Sequence, residues 1–124
     1  MSGAGAVPQK VMIVDDDLTM NSLLKTLLEL DGFSVVQAFR GDMVVPTALA
    51  EKPDAVLMDV YIAGANGMEL LREIRRHPEL RLLPVIMSSG MDMETESRSS
   101  GANAFILKPY PPEQLSSTLK KVIL

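Results

Sequence analysis

The sequence predicts an α/β fold, a doubly wound five-stranded parallel sheet with five helices distributed over both faces. Three observations support this prediction. Short, continuous apolar runs of strand length recur along the chain, and such runs are typical of strands buried on both faces. Segments with apolar residues at helical spacing separate these runs, and this alternation favours parallel strands joined by right-handed crossovers. The 124 residues, of which 47% are hydrophobic, suit one domain with a packed core.

The first predicted unit is a strand followed by a helix. Residues 11–14 form an apolar run that ends abruptly in three aspartates, as expected where a buried strand leaves the sheet. Apolar residues then recur at helical spacing, and Gly32 follows as a helix stop. These apolar residues are Met20, Leu23, Leu24, Leu27, Leu28 and Leu30. A second strand is predicted at residues 34–38.

Further strands are predicted at residues 54–58, 84–87 and 104–107. The helix after the first of these is expected to bury Met68, Leu71 and Ile74. A closing helix begins at Pro112, since proline is favoured in a first helical turn, and buries an apolar stripe. That stripe consists of Leu115, Leu119 and Val122. The pattern predicts a flavodoxin-like sheet of order 2-1-3-4-5, with a ligand site beyond the carboxyl ends of its central strands.

Three segments are expected to be less regular. Pro46 interrupts residues 42–51, so the second helix should be short or distorted, or should begin near this proline. Residues 93–100 have almost no apolar stripe, so the fourth helix should be the least stable. Residues 1–9 are small and rich in glycine and alanine, which predicts a flexible tail before a single domain of residues 10–124.

Composition excludes several kinds of chemistry. The chain contains no cysteine, so disulfides, thiolate metal sites and thiol nucleophiles are excluded, and carboxylates must bind any metal. The net charge of -4 disfavours nucleic-acid binding, which needs clustered lysine and arginine. The apolar runs are only of strand length, and no basic N-terminal region precedes one, so neither a membrane span nor a signal peptide is predicted. We therefore expect a cytoplasmic protein.

Polar side chains follow four of the predicted strands, and the carboxyl ends of parallel strands meet at one edge of a sheet. The residues concerned are Asp15, Asp16, Asp59, Ser88, Ser89 and Lys108. Three carboxylates at one place repel each other unless a cation lies between them, and Mg²⁺ prefers such oxygen ligands. Lys108 supplies a positive charge and Ser89 a hydroxyl donor, and both suit the oxygens of a phosphoryl group. The site therefore predicts phosphoryl transfer to a carboxylate.

Five short motifs occur in a fixed order along the chain. They are Val-Asp-Asp-Asp at 14–17, Met-Asp-Val at 58–60, a turn between glycines at 64–67, Met-Ser-Ser-Gly at 87–90 and Leu-Lys-Pro-Tyr at 107–110. Each motif alone is weakly specific, but all five in order are a strong signal. From residue 11 to the last helix, the chain resembles the response-regulator receiver domains of two-component signalling, and is similar to the chemotaxis regulators among them.

The resemblance implies roles for individual residues. Asp59 would be the phosphoacceptor, assisted by Lys108 and Ser89, and Ser89 and Phe105 would form the conformational switch. The resemblance also implies a cis peptide bond between Lys108 and Pro109.

For the cofactor, the resemblance implies Mg²⁺. Asp16 would bind the ion directly and Asp15 mainly through water, while Asp59 and the backbone carbonyl of Tyr61 would complete the protein ligands. All four groups offer oxygen atoms, which is the ligand chemistry that Mg²⁺ requires.

For partners, the resemblance implies a sensor histidine kinase or a phosphotransfer protein as phosphodonor. The signal would leave through the face formed by the fourth helix, the fifth strand and the last helix. Its recipient would be a downstream effector protein, an output domain outside this chain, or a second copy in a phosphorylation-dependent homodimer. Such a domain is a phosphorelay phosphoacceptor that catalyses only its own phosphorylation and dephosphorylation, and so is not an enzyme in the usual sense.

Four positions depart from the family pattern. Ala63 stands where proline is usual and Asn66 where aspartate is common, so the loop after Asp59 is expected to be more mobile. Ser89 replaces the commoner threonine and Phe105 the commoner tyrosine. None of these changes removes a reacting group.

Two other functions stay open at this point. Residues 15–19 also fit the Asp-x-Asp-x-Thr motif of haloacid-dehalogenase-type phosphatases, with Asp15 as the nucleophile. No later acidic pair follows Lys108, however, and the chain is short for that family. The second alternative is a docking module of the same fold that never takes up phosphate, and intact Asp59, Asp16 and Lys108 argue against it.

Overall fold

A computed structural model describes residues 7–123 of the chain. The predicted flexible tail, residues 1–9, therefore lies mostly outside the described residues, and the division into tail and domain stays a prediction. The elements follow in the order β1 Lys10–Val14, α1 Leu18–Leu30, β2 Ser34–Ala38, α2 Val44–Glu51, β3 Ala55–Asp59, β4 Tyr61–Ile62, β5 Ala65–Asn66, α3 Gly67–Arg76, β6 Val85–Ser89, α4 Glu94–Ser99, β7 Ala104–Leu107 and α5 Pro112–Ile123.

The predicted doubly wound sheet is confirmed. Five parallel strands pair in the order β2-β1-β3-β6-β7, which is the predicted 2-1-3-4-5 when the short hairpin of β4 and β5 is left aside. Within residues 7–123, no helix is long and apolar enough to cross a membrane.

Two apolar cores form because successive side chains of each buried strand point to opposite faces of the sheet. In β1, Met12 and Val14 belong to the core under α2 and α3, whereas Val11 and Ile13 belong to the core under α1 and α5. The helices contribute apolar stripes to these cores, for example Leu71 and Ile74 from α3 or Leu115 and Leu119 from α5. Both faces of the central strands are covered, so polar groups gather only where the strands end.

Helix ends follow local sequence signals. The Asp17 side chain caps α1 by accepting a hydrogen bond from the Met20 N–H at 3.1 Å. Pro46 lies in the first turn of α2, which is only eight residues long and follows a 3-10 turn at Gly41–Met43. The predicted short second helix is therefore confirmed, since a first-turn proline gives up no helical hydrogen bond.

The fourth helix is the shortest of the five. It spans the six residues Glu94–Ser99, includes no apolar residue, and buries only Ser97. Met93 precedes it without a side-chain cap. These features support the predicted low stability of α4, because a helix end without a cap and with little burial opens at low cost.

Arg75, at the end of α3, connects two loops by hydrogen bonds. These loops lie at the edge of the sheet opposite to the carboxyl ends of the strands. Its guanidinium donates to the backbone oxygens of Gly101 at 2.8 Å, Leu83 at 2.7 Å and Arg81 at 3.1 Å, and to the Asn103 side chain at 2.9 Å. All four acceptors are neutral oxygens, and burial lowers the pKa of Arg75 from its usual value. The network fixes the loop between α4 and β7 against α3.

Arg75→Met is expected to lower the free energy of unfolding by about 2 kcal/mol, because partly buried carbonyl oxygens lose charged donors. Arg72→Met is the matched control on the same helix. Arg72 is exposed and pairs only with Glu69 in the adjacent turn, so its loss should cost less than about 0.5 kcal/mol. Denaturant unfolding of both variants measures the difference. Equal losses in the free energy of unfolding would show that the Arg75 network contributes nothing to stability.

Candidate phosphoacceptor site

The candidate site lies at the carboxyl edge of the sheet. Asp15 follows β1, Asp59 ends β3, Ser89 ends β6 and Lys108 follows β7. The strand register brings these ends level, since Val14 pairs with Met58, Asp59 with Ser88, and Ser89 with Leu107. Topology therefore assembles groups that are up to 93 residues apart in the chain.

Lys108 joins the two carboxylates that face each other across this edge. Its Nζ lies 3.1 Å from Asp59 Oδ2 and 3.4 Å from Asp15 Oδ2. The side chains are 27% exposed for Lys108, 16% for Asp59 and 6% for Asp15. Asp59 is thus the more accessible of the two acids, and a fixed cation lies beside its oxygen.

Burial and mutual charge perturb the proton affinities of the cluster. Burial raises the pKa of the Asp15 carboxyl, and the charge of Asp59 raises it further, against the opposing effects of the Asp17 N–H and Lys108. Burial by itself lowers the pKa of Lys108, but the charges of Asp15 and Asp59 outweigh burial and raise that pKa overall. Lys108 is therefore a permanent cation at neutral pH.

A second group of residues holds Asp15 in place. Its Oδ1 accepts a hydrogen bond from the Asp17 N–H at 2.9 Å, and its backbone oxygen accepts one from Asn21 Nδ2 at 2.9 Å. Asn21 is fully buried, and its Oδ1 accepts from Gln37 Nε2 at 2.9 Å. Sequence reasoning missed Asn21. Its place on the apolar face of a predicted helix was a signal, because a buried amide needs hydrogen-bond partners at a nearby polar site.

Asp16 is the one predicted acid that the structure does not bring into the cluster. Its side chain is exposed, whereas Asp15 is buried. Among residues 7–123, no three acidic side chains lie close enough together to form a metal site. The carboxylates that meet are Asp15 and Asp59, with Lys108 between them.

Ser89 and Phe105 flank the cluster on the β6 and β7 side. Ser89 is buried, and its Oγ accepts a hydrogen bond from the Met91 N–H at 3.1 Å. Phe105 is half-buried and packs against the core under α2 and α3. The peptide bond between Lys108 and Pro109 is cis, as the resemblance implied.

The loop after Asp59 carries hydrogen bonds at Asn66 and Gly67, where it enters α3. Asn66 caps α3 by accepting from the N–H groups of Met68 at 2.8 Å and Glu69 at 3.4 Å. The Gly67 N–H donates to the backbone oxygen of Val60 at 2.7 Å. The mobility of this loop stays a prediction, but Asn66 replaces a capping aspartate without loss of the cap.

Tyr61 reaches from this loop toward α4. Its side chain is 54% exposed, and its hydroxyl donates to Met93 Sδ at 3.5 Å. Its own N–H lies 3.4 Å from Asp59 Oδ1. The residue therefore connects the Asp59 loop with the start of the fourth helix.

An apolar cavity lies apart from this cluster. It has a volume of about 760 Å³, lies between α1 and α5, and is lined mainly by apolar residues such as Leu23 and Leu27. Lys108 and Tyr110 lie at its border with the cluster. The charged groups that suit phosphoryl chemistry lie at the sheet edge, so we place the candidate site there rather than in the larger, apolar cavity.

Comparison with known proteins agrees with this geometry. A family model for the response regulator receiver domain matches residues 11–120. Protein PilH of Pseudomonas aeruginosa is 35% identical over 117 residues, which cover 92% of this chain and 97% of PilH. The chemotaxis response regulator CheY4 of Vibrio cholerae is 25% identical, with a TM-score of 0.87 and coverage of 94% of this chain and 99% of CheY4.

A further solved structure contains a metal ion. The receiver domain of sensor histidine kinase PA1611 from Pseudomonas aeruginosa has a magnesium ion coordinated in its active-site cleft. It is 25% identical, with a TM-score of 0.85, and the match covers 94% of this chain and 98% of that domain.

Proposed function

Because the chain belongs to the family of response regulator receiver domains, we propose that Asp59 accepts a phosphoryl group from a phosphohistidine. The donor is a sensor histidine kinase or a phosphotransfer protein. The observation that carries this proposal is the Lys108 ammonium, which lies 3.1 Å from Asp59 Oδ2. A cation fixed there stabilises charge on a phosphoryl group attached to the neighbouring oxygen.

The chain's own residues supply most of the chemistry. An Asp59 carboxylate oxygen attacks phosphorus, the bond from phosphorus to the donor nitrogen breaks, and an acyl phosphate forms. Lys108 pairs with the phosphoryl oxygens as Asp59 loses its charge. Ser89 adds a hydroxyl hydrogen bond to those oxygens once its Oγ turns away from the Met91 N–H that it accepts from.

The donor set fits Mg²⁺, which typically binds one or two carboxylates and keeps several waters. Asp15 and Asp59 face each other, and Asp16 lies beside them in sequence on the solvent side. Three carboxylates and one ammonium leave two negative charges for a divalent ion to neutralise. We assign Asp16, Asp15, Asp59 and the Tyr61 carbonyl as its ligands, an arrangement that requires the exposed Asp16 side chain to turn toward the cluster. When bound, the ion neutralises the developing charge of the transferring phosphoryl group.

Phosphorylation then biases the position of α4. Movement of Ser89 Oγ releases the Met91 N–H and opens space for Phe105 to turn inward. The start of α4 follows, because it lacks a side-chain cap and buries little apolar surface. The face formed by α4, β7 and α5 is the surface that meets a downstream effector, an output domain or a second copy.

The two alternatives receive less support. Asp15, the nucleophile of a haloacid-dehalogenase-type phosphatase, is nearly fully buried, and both of its carboxylate oxygens already accept hydrogen bonds. Asp59 is the more exposed acid. A docking module that never takes up phosphate has no need for a cation held between two acids, since that arrangement costs desolvation without a structural gain.

Incubation with acetyl phosphate, followed by intact-mass measurement, tests the proposal. We expect the gain of one phosphoryl mass with Mg²⁺ and little or none after EDTA treatment. No gain under either condition would support the docking module and overturn the proposal.

The lifetime of the acyl phosphate depends on Tyr61 in this account. Its ring lies between the Asp59 loop and α4 and limits the approach of water, whose positioning governs hydrolysis. Tyr61→Asn should therefore lose phosphate about fivefold faster, a change that corresponds to about 1 kcal/mol of barrier. Tyr61→Phe keeps the ring and loses only the contact with Met93, so its rate should stay near that of wild type. Timed phosphate release measures both, and an unchanged rate in Tyr61→Asn would contradict the shielding role.

A further inference from the structure

Ser88 carries a buried hydroxyl beside the phosphoacceptor, and the proposed transfer to Asp59 does not use it. It is 2% exposed, and among the described residues its Oγ has no hydrogen-bond partner. Ser88 on β6 pairs directly with Asp59 on β3, so the two side chains are neighbours on the same face of the sheet. A hydroxyl without a partner in a protein interior is costly, and an apolar side chain of similar size avoids that cost. The hydroxyl therefore calls for an explanation.

Ser88 lines a small cavity. Its volume is about 10 Å³, at the lower limit of the space that a single water molecule needs. Polar residues make up part of its wall, namely Asp15, Asp59, Ser88, Lys108 and Tyr110. A buried water needs two to four polar partners, and this wall offers donors and acceptors in excess of that number.

The wall also offers the right kinds of hydrogen-bonding group. Burial, with added contributions from the charges of Asp15 and Asp59, raises the pKa of Tyr110 to about 12, so its phenol stays protonated and keeps its donor. The carboxylates only accept hydrogen bonds and the ammonium only donates them, whereas the Ser88 hydroxyl does both. A single water in this cavity would satisfy Ser88 and an acid together.

We propose that Ser88 is a positioning residue, whose hydroxyl supports the Asp59 carboxylate through one water bound in the cavity that both residues line. The inference rests on the proposed role of Asp59 as phosphoacceptor. The water-linked hydroxyl holds the carboxylate from the inner side, while Lys108 holds it at Oδ2. A nucleophile fixed in this way spends more of its time in the attacking orientation, which raises the rate of transfer.

The isosteric pair Ser88→Thr and Ser88→Val isolates the hydroxyl, because both variants add the same bulk and only threonine keeps the O–H. We expect Ser88→Val to form the acyl phosphate about fivefold more slowly than Ser88→Thr at saturating acetyl phosphate and Mg²⁺, which is the effect of one hydrogen bond. The Mg²⁺ concentration for half-maximal rate should be the same in both, since Ser88 does not bind the ion. Ser88→Ala, which adds no bulk, should also be slower than wild type.

Ser97 provides the control position. It is the other buried hydroxyl without a partner among the described residues, and it lies in α4 away from the cavity. The pair Ser97→Thr and Ser97→Val should show no difference in rate. A crystal structure of the wild type should contain an ordered water between Ser88 and Asp59, and that water should be absent from Ser88→Val.

The outcomes separate this inference from the function on which it rests. Equal rates for Ser88→Thr and Ser88→Val, or a Ser88→Ala rate equal to wild type, would overturn the positioning role while Asp59 remains the phosphoacceptor. A dry cavity in the wild-type crystal structure would overturn the water link. No phosphate uptake by the wild type itself would instead overturn the phosphoacceptor proposal.

Discussion

Asp59→Asn is expected to abolish phosphate uptake from acetyl phosphate and to leave the fold intact. The amide has nearly the same shape as the carboxylate but lacks the anionic oxygen that attacks phosphorus. It also ends the repulsion between Asp59 and the buried Asp15, while Lys108 keeps Asp15 as a partner. Intact-mass measurement should show no added phosphoryl group, and the thermal unfolding midpoint should stay equal to or above that of wild type.

Asp16→Ala and Asp15→Asn are the comparison variants. Asp16 is exposed and contributes to Mg²⁺ binding in our assignment, so Asp16→Ala should mainly raise the Mg²⁺ concentration needed for uptake. The phosphatase-like alternative makes the opposite prediction for Asp59 and Asp15. If Asp59→Asn still gained a phosphoryl group and Asp15→Asn did not, Asp15 would be the nucleophile and our assignment would be wrong.

Gly67→Ala is expected to have the largest effect on stability, a loss of about 3 kcal/mol in the free energy of unfolding. A β-carbon at position 67 would overlap the backbone oxygen of Asp59 and would lie 2.9 Å from both the Cα and the oxygen of Val60. Those are backbone atoms, so no side-chain rotation relieves the overlap. The loop that carries the phosphoacceptor must move, and phosphate uptake should fall with stability.

Gly90→Ala is the matched control. Gly90 follows Ser89 at the same edge of the sheet, but a β-carbon there would meet no atom within 4 Å. This variant should unfold within about 0.5 kcal/mol of wild type. Equal stabilities for Gly67→Ala and Gly90→Ala in denaturant unfolding would show that the Asp59 loop adjusts freely, against the packing described above.

Much of the fold could be predicted because its signals are local. Continuous apolar runs marked four of the five sheet strands, and the Gly32 stop and Pro112 start marked helix ends. Topology rules then placed the strand ends at one edge, which was sufficient to predict that Asp59 and Lys108 lie together.

The remaining features depend on contacts that sequence spacing does not encode. The β4 and β5 hairpin has strands of only two residues, too short for a periodic pattern. The Arg75 network depends on two loops that meet α3 only in the fold. The exposure of Asp16 follows from the turn after β1, because adjacent residues that leave a strand point in different directions.

Chemical mapping of the phosphorylated residue tests the central claim most directly. Borohydride reduction after treatment with acetyl phosphate and Mg²⁺ converts an aspartyl phosphate to homoserine, which peptide mass spectrometry locates in the sequence. We predict homoserine at position 59, and none at that position when Mg²⁺ is removed. Homoserine at position 15, or a phosphoryl group on any residue other than Asp59, would contradict the account.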